Sequence, residues 1–309
     1  MKKFFQLLAV SGFMTLSVPA LAQFSVQESF NASGYTYSFF SLASTETDQT
    51  EFEQDKNGTG RIATYNYLTV GTHVNYDLKG GLRLPFSYNT AGRDRFNNGE
   101  VQNQEIFLQD LILFLRNDSL ALLPWDVSVY WEGSLYLPTG KFSRQQGTIG
   151  AYKNHFIFSK ILSRSFDWEY DQTVKYTDQS RTAYKNTFIG DQGDEITVAS
   201  LTKSWELKHR MNIWYKMDSE TGVGLQAGLE DTYYNSSKEN SKSLDRSVPL
   251  TKPTEHLVKL GPAARFALSN KINFILNFTD VVNARQNMKE LGQFRSKNTE
   301  VALLSFVRF

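Results

Sequence analysis

Two stretches of the chain place four charged side chains each on alternate positions. In FDWEYDQTVKY, the residues Asp167, Glu169, Asp171 and Lys175 alternate with Phe166, Trp168, Tyr170, Val174 and Tyr176. In SWELKHRMNIWYKM, the residues Glu206, Lys208, Arg210 and Lys216 alternate with Trp205, Leu207, Met211, Ile213, Tyr215 and Met217. Side chains alternate across a strand, so each stretch would carry charge on one face and apolar bulk on the other. Run antiparallel as neighbours, the acidic half of the first meets the basic half of the second, and Lys175 climbs toward Glu206. Opposite-charge ladders of this kind can stabilise the inside of a barrel, or they can line a path for polar solutes. Glu132, on the polar face of the alternating stretch 125–137, belongs to the same inward set.

Other chemistry finds little support. The histidines, His73, His155, His209 and His256, lie on separate stretches, whereas zinc needs three or four converging ligands. His209 falls on the apolar face of its strand, where a neutral imidazole is expected. Asp191, Asp194 and Glu195 in GDQGDE can hold Ca²⁺ weakly, but a solvated acidic loop explains them as well. An outer-membrane phospholipase requires a His and a Ser two apart followed by Asn-Gly, and His73 is followed by Val74 and Asn75. The Asp pairs and Asp-His couple of the omptin-type proteases are also lacking. There is no nucleophile elbow, phosphate-cradling Gly-Lys-Ser/Thr loop or dinucleotide fingerprint. The expectation is a protein that is not an enzyme and has no metal or cofactor.

The elements that would position the charges are long. A half-buried strand of a soluble protein is usually about 5–6 residues. The stretch 204–217 keeps its period for about twice that, near the ~9–11 tilted residues that cross a bilayer. Charge opposite an apolar wall within a membrane has one tolerable place, the interior of a closed barrel. The expected fold is an all-β, transmembrane, antiparallel up-and-down barrel.

The composition fits an exported barrel. The opening MKKFFQLLAVSGFMTLSVPALAQ has a basic start, an apolar middle and a small-residue site, so residues 1–22 read as a cleaved signal peptide and 23–309 as one domain. Without Lys2 and Lys3 the chain carries 31 basic and 32 acidic residues, which leaves no electrostatic case for nucleic acid. There is no cysteine, so stability must come from something other than disulfides. No run of about 18 apolar residues follows the signal, which excludes helical spans. The mean hydropathy of −0.40 suits a barrel, in which only alternate residues meet lipid, and 23 Phe with 15 Tyr suit interfacial aromatic girdles.

In order, the strands are expected at 34–42, 62–78, 82–88, 105–116, 125–137, 151–162, 166–176, 204–217, 223–233, 256–268, 272–282 and 299–309. Lys79-Gly80-Gly81 reads as the turn between the second and third. The fourth, EIFLQDLILFLR, has apolar residues on both faces and an ambiguous register. Short and long connections alternate around twelve strands, the pattern of short periplasmic turns and longer extracellular loops.

Two resemblances add to this. The last strand, with Val301, Leu303, Val307 and Phe309 on one face, resembles the C-terminal signal of Gram-negative outer-membrane barrels. That implies handling by periplasmic chaperones and the barrel-assembly machinery. GSLYLPTGKF followed by GTIGAYKNHFIFSKIL, about thirty residues around Leu137-Pro138-Thr139-Gly140, resembles the barrel family named for the meta-pathway of phenol degradation. That family is related to the long-chain fatty-acid transporters, and the likeness implies passage of small hydrophobic compounds. The expected function is a passive channel in the outer membrane, with lipid and a small solute as partners. The alternatives are a closed barrel with an adhesive or structural role, an outer-membrane hydrolase, and a soluble periplasmic sandwich.

Overall fold

The computed structural model describes residues 35–46, 62–75, 77–89, 92–94, 100–102, 105–189, 195–236, 254–285, 288–294 and 299–309. The expected signal peptide and the acidic residues Asp191 and Asp194 lie outside them. Twelve strands form the wall: β1 (Tyr35–Glu46), β2 (Ala63–His73), β3 (Leu78–Asn89), β4 (Glu105–Leu108 with Leu111–Leu123), β5 (Val127–Leu137), β6 (Thr148–Ile161), β7 (Phe166–Gln179), β8 (Lys203–Lys216), β9 (Thr221–Tyr234), β10 (Glu255–Ser269), β11 (Ile272–Asn283) and β12 (Thr299–Arg308). Each pairs antiparallel with its sequence neighbours. The sheet then meets itself through nine pairs, from Ser38↔Arg308 to Glu46↔Glu300. Closure leaves no exposed ladder edge between first and last strands, which is what a sheet in lipid requires.

The two faces divide as the alternation demands. On β8, Trp205, Met211, Ile213 and Tyr215 are exposed on the outer wall, while Asn212 and Trp214 are buried inside. On β7, Asp167, Glu169 and Asp171 are buried inside. Outward aromatics pair at two heights: Phe166 with Tyr215, and Tyr176 with Trp205. Ten residues separate Phe166 from Tyr176 along β7. That is about 33 Å of strand, or about 25 Å of depth at the usual tilt, the height of an outer-membrane apolar band. The tight turns, Tyr35 and Phe309 share one rim, the periplasmic one by this architecture. The barrel is therefore one of the bacterial outer membrane.

On β12 the inward residues are Ala302 and Leu304, so Val301, Leu303 and Val307 face outward. The Phe309 amide donates to the Tyr37 carbonyl at 3.1 Å and extends the closing seam by one residue.

Several boundaries differ from the sequence reading. The second turn falls at 74–77, not at Lys79-Gly80-Gly81: the Asn75 side-chain oxygen accepts from the amides of Asp77 (3.1 Å) and Leu78 (2.8 Å). Gly80 and Gly81 lie within β3 because space is short there. A Cβ on Gly81 would stand 2.2 Å from the Val70 carbonyl oxygen and 2.8 Å from the Phe114 ring. Gly81→Ala is expected to cost more than about 2 kcal/mol. It is checked by the urea midpoint of the heat-modifiable band in gels, with an unchanged midpoint counting against this close approach.

The ambiguous register of 105–116 has a physical cause. Residues Phe86↔Leu108 and Arg83↔Ile112 are paired one residue out of step, across an interruption at Gln109-Asp110. Opposite it is Pro85, which has no amide to give and whose carbonyl takes the Gln109 amide at 3.0 Å. Ile106 and Leu108 therefore face outward before the break, and Leu113 and Leu115 after it. Trp125 and Asp126 are not strand residues: with φ of 64° and 59° they make the turn after β4, which runs on to Leu123. The connection after β5 carries a short helix α1 (Lys141–Gln146), and that after β7 a hairpin, Ala183–Ile189 with Glu195–Leu201. Asp110 holds α1 by accepting from the Gly140 amide at 2.9 Å and from the Ser143 hydroxyl.

Candidate functional site: the barrel lumen

The register of β7 on β8 sets Asp171 across from Arg210 and Lys175 across from Glu206. Their charged ends meet at 2.6 Å and 3.2 Å. The other oxygen of Asp171 lies 2.8 Å from His155 Nε2 on β6. Nearer the periplasmic rim, Asp167 takes two cations, Lys216 at 2.7 Å and Arg265 from β10 at 2.9 Å. Glu169 sits between these pairs and accepts from Asn212 Nδ2 at 3.0 Å. Lys208 turns away from β7 to Glu230 on β9 at 3.3 Å, where Lys259 also arrives at 3.1 Å.

Glu132 belongs to a second cluster. Its oxygens accept from the two Nη atoms of Arg83, each at 2.6 Å, and from the hydroxyls of Tyr130 (3.0 Å) and Ser134 (3.1 Å). The side chains of Arg83 and Glu132 are only 4% and 2% exposed. The guanidinium lies 4.3 Å from the centre of the Phe114 ring and 5.1 Å from that of Tyr67, so its faces are covered as well as its edge. Sequence reasoning missed Arg83, Arg265, Glu230 and Lys259, and did not foresee that His155 joins Asp171. A signal for the first two was present: each is a lone cation flanked by apolar residues, Leu82 and Leu84 or Ala264 and Phe266.

A cavity of about 370 Å³ occupies the lumen between these groups, lined among others by Leu42, Glu132, Asp171, Lys208, Lys259 and Leu304. Below it Phe40, Trp214, Ala263 and Ile275 are buried in one apolar cluster. Each stands nearer the periplasmic rim than the cavity-lining residue of its own strand: Leu42, Arg210, Lys259 and Asn277. Trp214, the apolar intruder on an otherwise polar face, shares this cluster with Phe40 and Tyr67 of β1 and β2, and Arg265 covers its ring at 4.8 Å. Among the described residues, the lumen holds a charge-lined cavity with an apolar cluster on its periplasmic side.

The sequence matches no protein-family model and no curated protein. Solved structures do match. The fold is shared with an outer-membrane channel of Pseudomonas putida F1. That likeness has a TM-score of 0.53 at 10% identity over 89% of this chain and 96% of the other. The NanC porin matches with a TM-score of 0.40 at 8% identity, over 87% of this chain and 98% of that one. A monoaromatic hydrocarbon channel, TodX in a deletion variant, matches with 0.42 at 8% identity over 89% of each. The outer-membrane barrel resemblance read from the sequence holds at the level of the fold.

Two other histidines have polar partners of their own. His209, on the outer wall, has Nδ1 2.7 Å from the Tyr170 hydroxyl, which gives it a polar partner where lipid offers none. His256 lies 2.7 Å from Asp231. Among the described residues no three His, Asp or Glu side chains converge as a metal site would need.

Proposed function

We propose that the protein is a passive outer-membrane channel for small polar solutes, and that the charge-lined cavity is their route. One observation carries the reading: Asp171, Lys208, Arg210, Glu230 and Lys259 surround a cavity inside a closed barrel. Charge kept around enclosed space, rather than filled by apolar residues, suits passage of hydrated or ionic molecules. Glu132, Asp167, Glu169, Asp171, Lys175, Glu206, Lys208, Arg210 and Lys216 are the residues proposed to face the solute path or to support it. Hydrophobic compounds, implied by the likeness around Leu137-Pro138-Thr139-Gly140, would have to pass the charged groups that line the same cavity. On this reading the protein catalyses nothing. Its partners are lipid, the solute and, during biogenesis, periplasmic chaperones and the barrel-assembly machinery that reads Val301, Leu303, Val307 and Phe309.

The test is single-channel recording of the purified barrel in planar bilayers, with solute-driven swelling of loaded liposomes. Steps of conductance and swelling by small polar solutes are expected. A silent bilayer together with unswollen liposomes removes the proposal in favour of a closed barrel whose outer loops do the work. The apolar cluster of the lower lumen, which includes Phe40 and Trp214, favours that second reading.

A further inference from the structure

The charges around the cavity do not balance. Arg83 is matched by Glu132, Arg210 by Asp171, and Lys208 and Lys259 share Glu230, with Glu300 3.8 Å from Lys259. The side chain of Lys153, which lines the same cavity, forms no ion pair or hydrogen bond with any described residue, although its charge is felt at Glu132. Glu132 on the adjoining strand is saturated, with both oxygens held by Arg83, Tyr130 and Ser134. Directly across from Lys153 on β7 stands another cation, Lys175, whose carboxylate partner is Glu206. Like charges placed opposite on a sheet repel, and in a half-enclosed space the local demand is for an anion.

The far wall has different chemistry. Leu42, Tyr67, Ala302 and Leu304, from β1, β2 and β12, line the cavity on the side of the ring away from β6. The geometry points to a binding site for a small organic carboxylate, its charged end on Lys153 and its apolar body against Leu42, Tyr67 and Leu304. The cavity of about 370 Å³ admits a molecule of benzoate size. The site deepens the channel reading by naming a solute class, but binding can be measured without passage.

The experiment is calorimetric titration of the detergent-solubilised barrel with sodium benzoate, sodium acetate and benzyl alcohol. Benzoate is expected to bind at least about tenfold more tightly than either, since acetate lacks the apolar body and benzyl alcohol the charge. Lys153→Gln should weaken benzoate by about tenfold, and Lys153→Arg should restore most of that. Because the Lys153 side chain makes no hydrogen bond or ion pair, the glutamine variant should keep the wild-type heat-modifiable gel shift. Equal binding of benzoate and benzyl alcohol, no binding of benzoate, or benzoate affinity untouched in Lys153→Gln would each overturn the site. Equal acetate and benzoate affinity would overturn the role of the apolar wall. Conductance recorded on the same preparation separates the two readings: a conducting barrel that ignores benzoate loses only this inference, and a silent barrel that binds it loses only the passage.

Discussion

Replacing Glu132 by alanine is expected to destabilise the folded barrel by about 3–5 kcal/mol, the usual cost of leaving a buried cation without its partner. Arg83 is 4% exposed and its planar fork is met on both prongs by this one carboxylate. Its faces are closed by Phe114 and Tyr67, so water cannot take the place of the lost oxygens without prising those rings apart. A double variant, Arg83→Met with Glu132→Leu, removes both charges and should lose much less, because no ion remains to be desolvated. Urea titration of the heat-modifiable band in micelles measures both. A single variant as stable as wild type, or a double variant worse than the single, would show that the pair is not what orders this part of the lumen. If the pair also narrows the route, the double variant should change single-channel conductance while leaving the fold intact.

What could be read from the sequence follows from how local the responsible forces are. The alternation of β7 and β8 is local and departs from pattern on the polar face of β8 only at Trp214, so their faces and pairing were legible. The turn at 74–77 was misplaced because Gly80-Gly81 looks like a turn, while the side-chain acceptor that builds it, Asn75, is less conspicuous. The split phase of β4 depends on Pro85 in a different strand, and the one-residue slip it imposes mixes the two faces of EIFLQDLILFLR. Least legible was the content of the lumen. That Trp214 shares a buried cluster with Phe40 and Tyr67, or that Arg265 joins Lys216 on Asp167, depends on strands brought together only when the sheet closes. Alternation says which residues point inward. It does not say which of them reach across.

Closure itself yields the prediction with the largest effect. β12 lies between β11 and β1 with nine consecutive pairs on each side and no irregularity on either. Every amide of the strand interior therefore belongs to a ladder, and in hydrocarbon a broken ladder bond has no water to replace it. The strand prolines of the wall obey this constraint: Pro85 faces the interruption of β4, and Pro262 falls in the gap between the pairs Leu260↔Asp280 and Ala263↔Asn277. Leu303→Pro has no such gap to occupy. It is expected to abolish the closed barrel, seen as loss of the heat-modifiable gel shift and as protease digestion of the strands, whereas Leu303→Val should be tolerated. The seam can be probed directly because the chain has no cysteine. Cysteines placed at Ser41 and Ser305, which face each other across it, should be joined by a short thiol crosslinker in the folded wild-type background and not in the proline variant. A fully folded Leu303→Pro protein, or a Ser41→Cys, Ser305→Cys pair that never crosslinks, would mean that the sheet does not close through β1 and β12. The enclosed lumen on which every functional statement depends would then be lost.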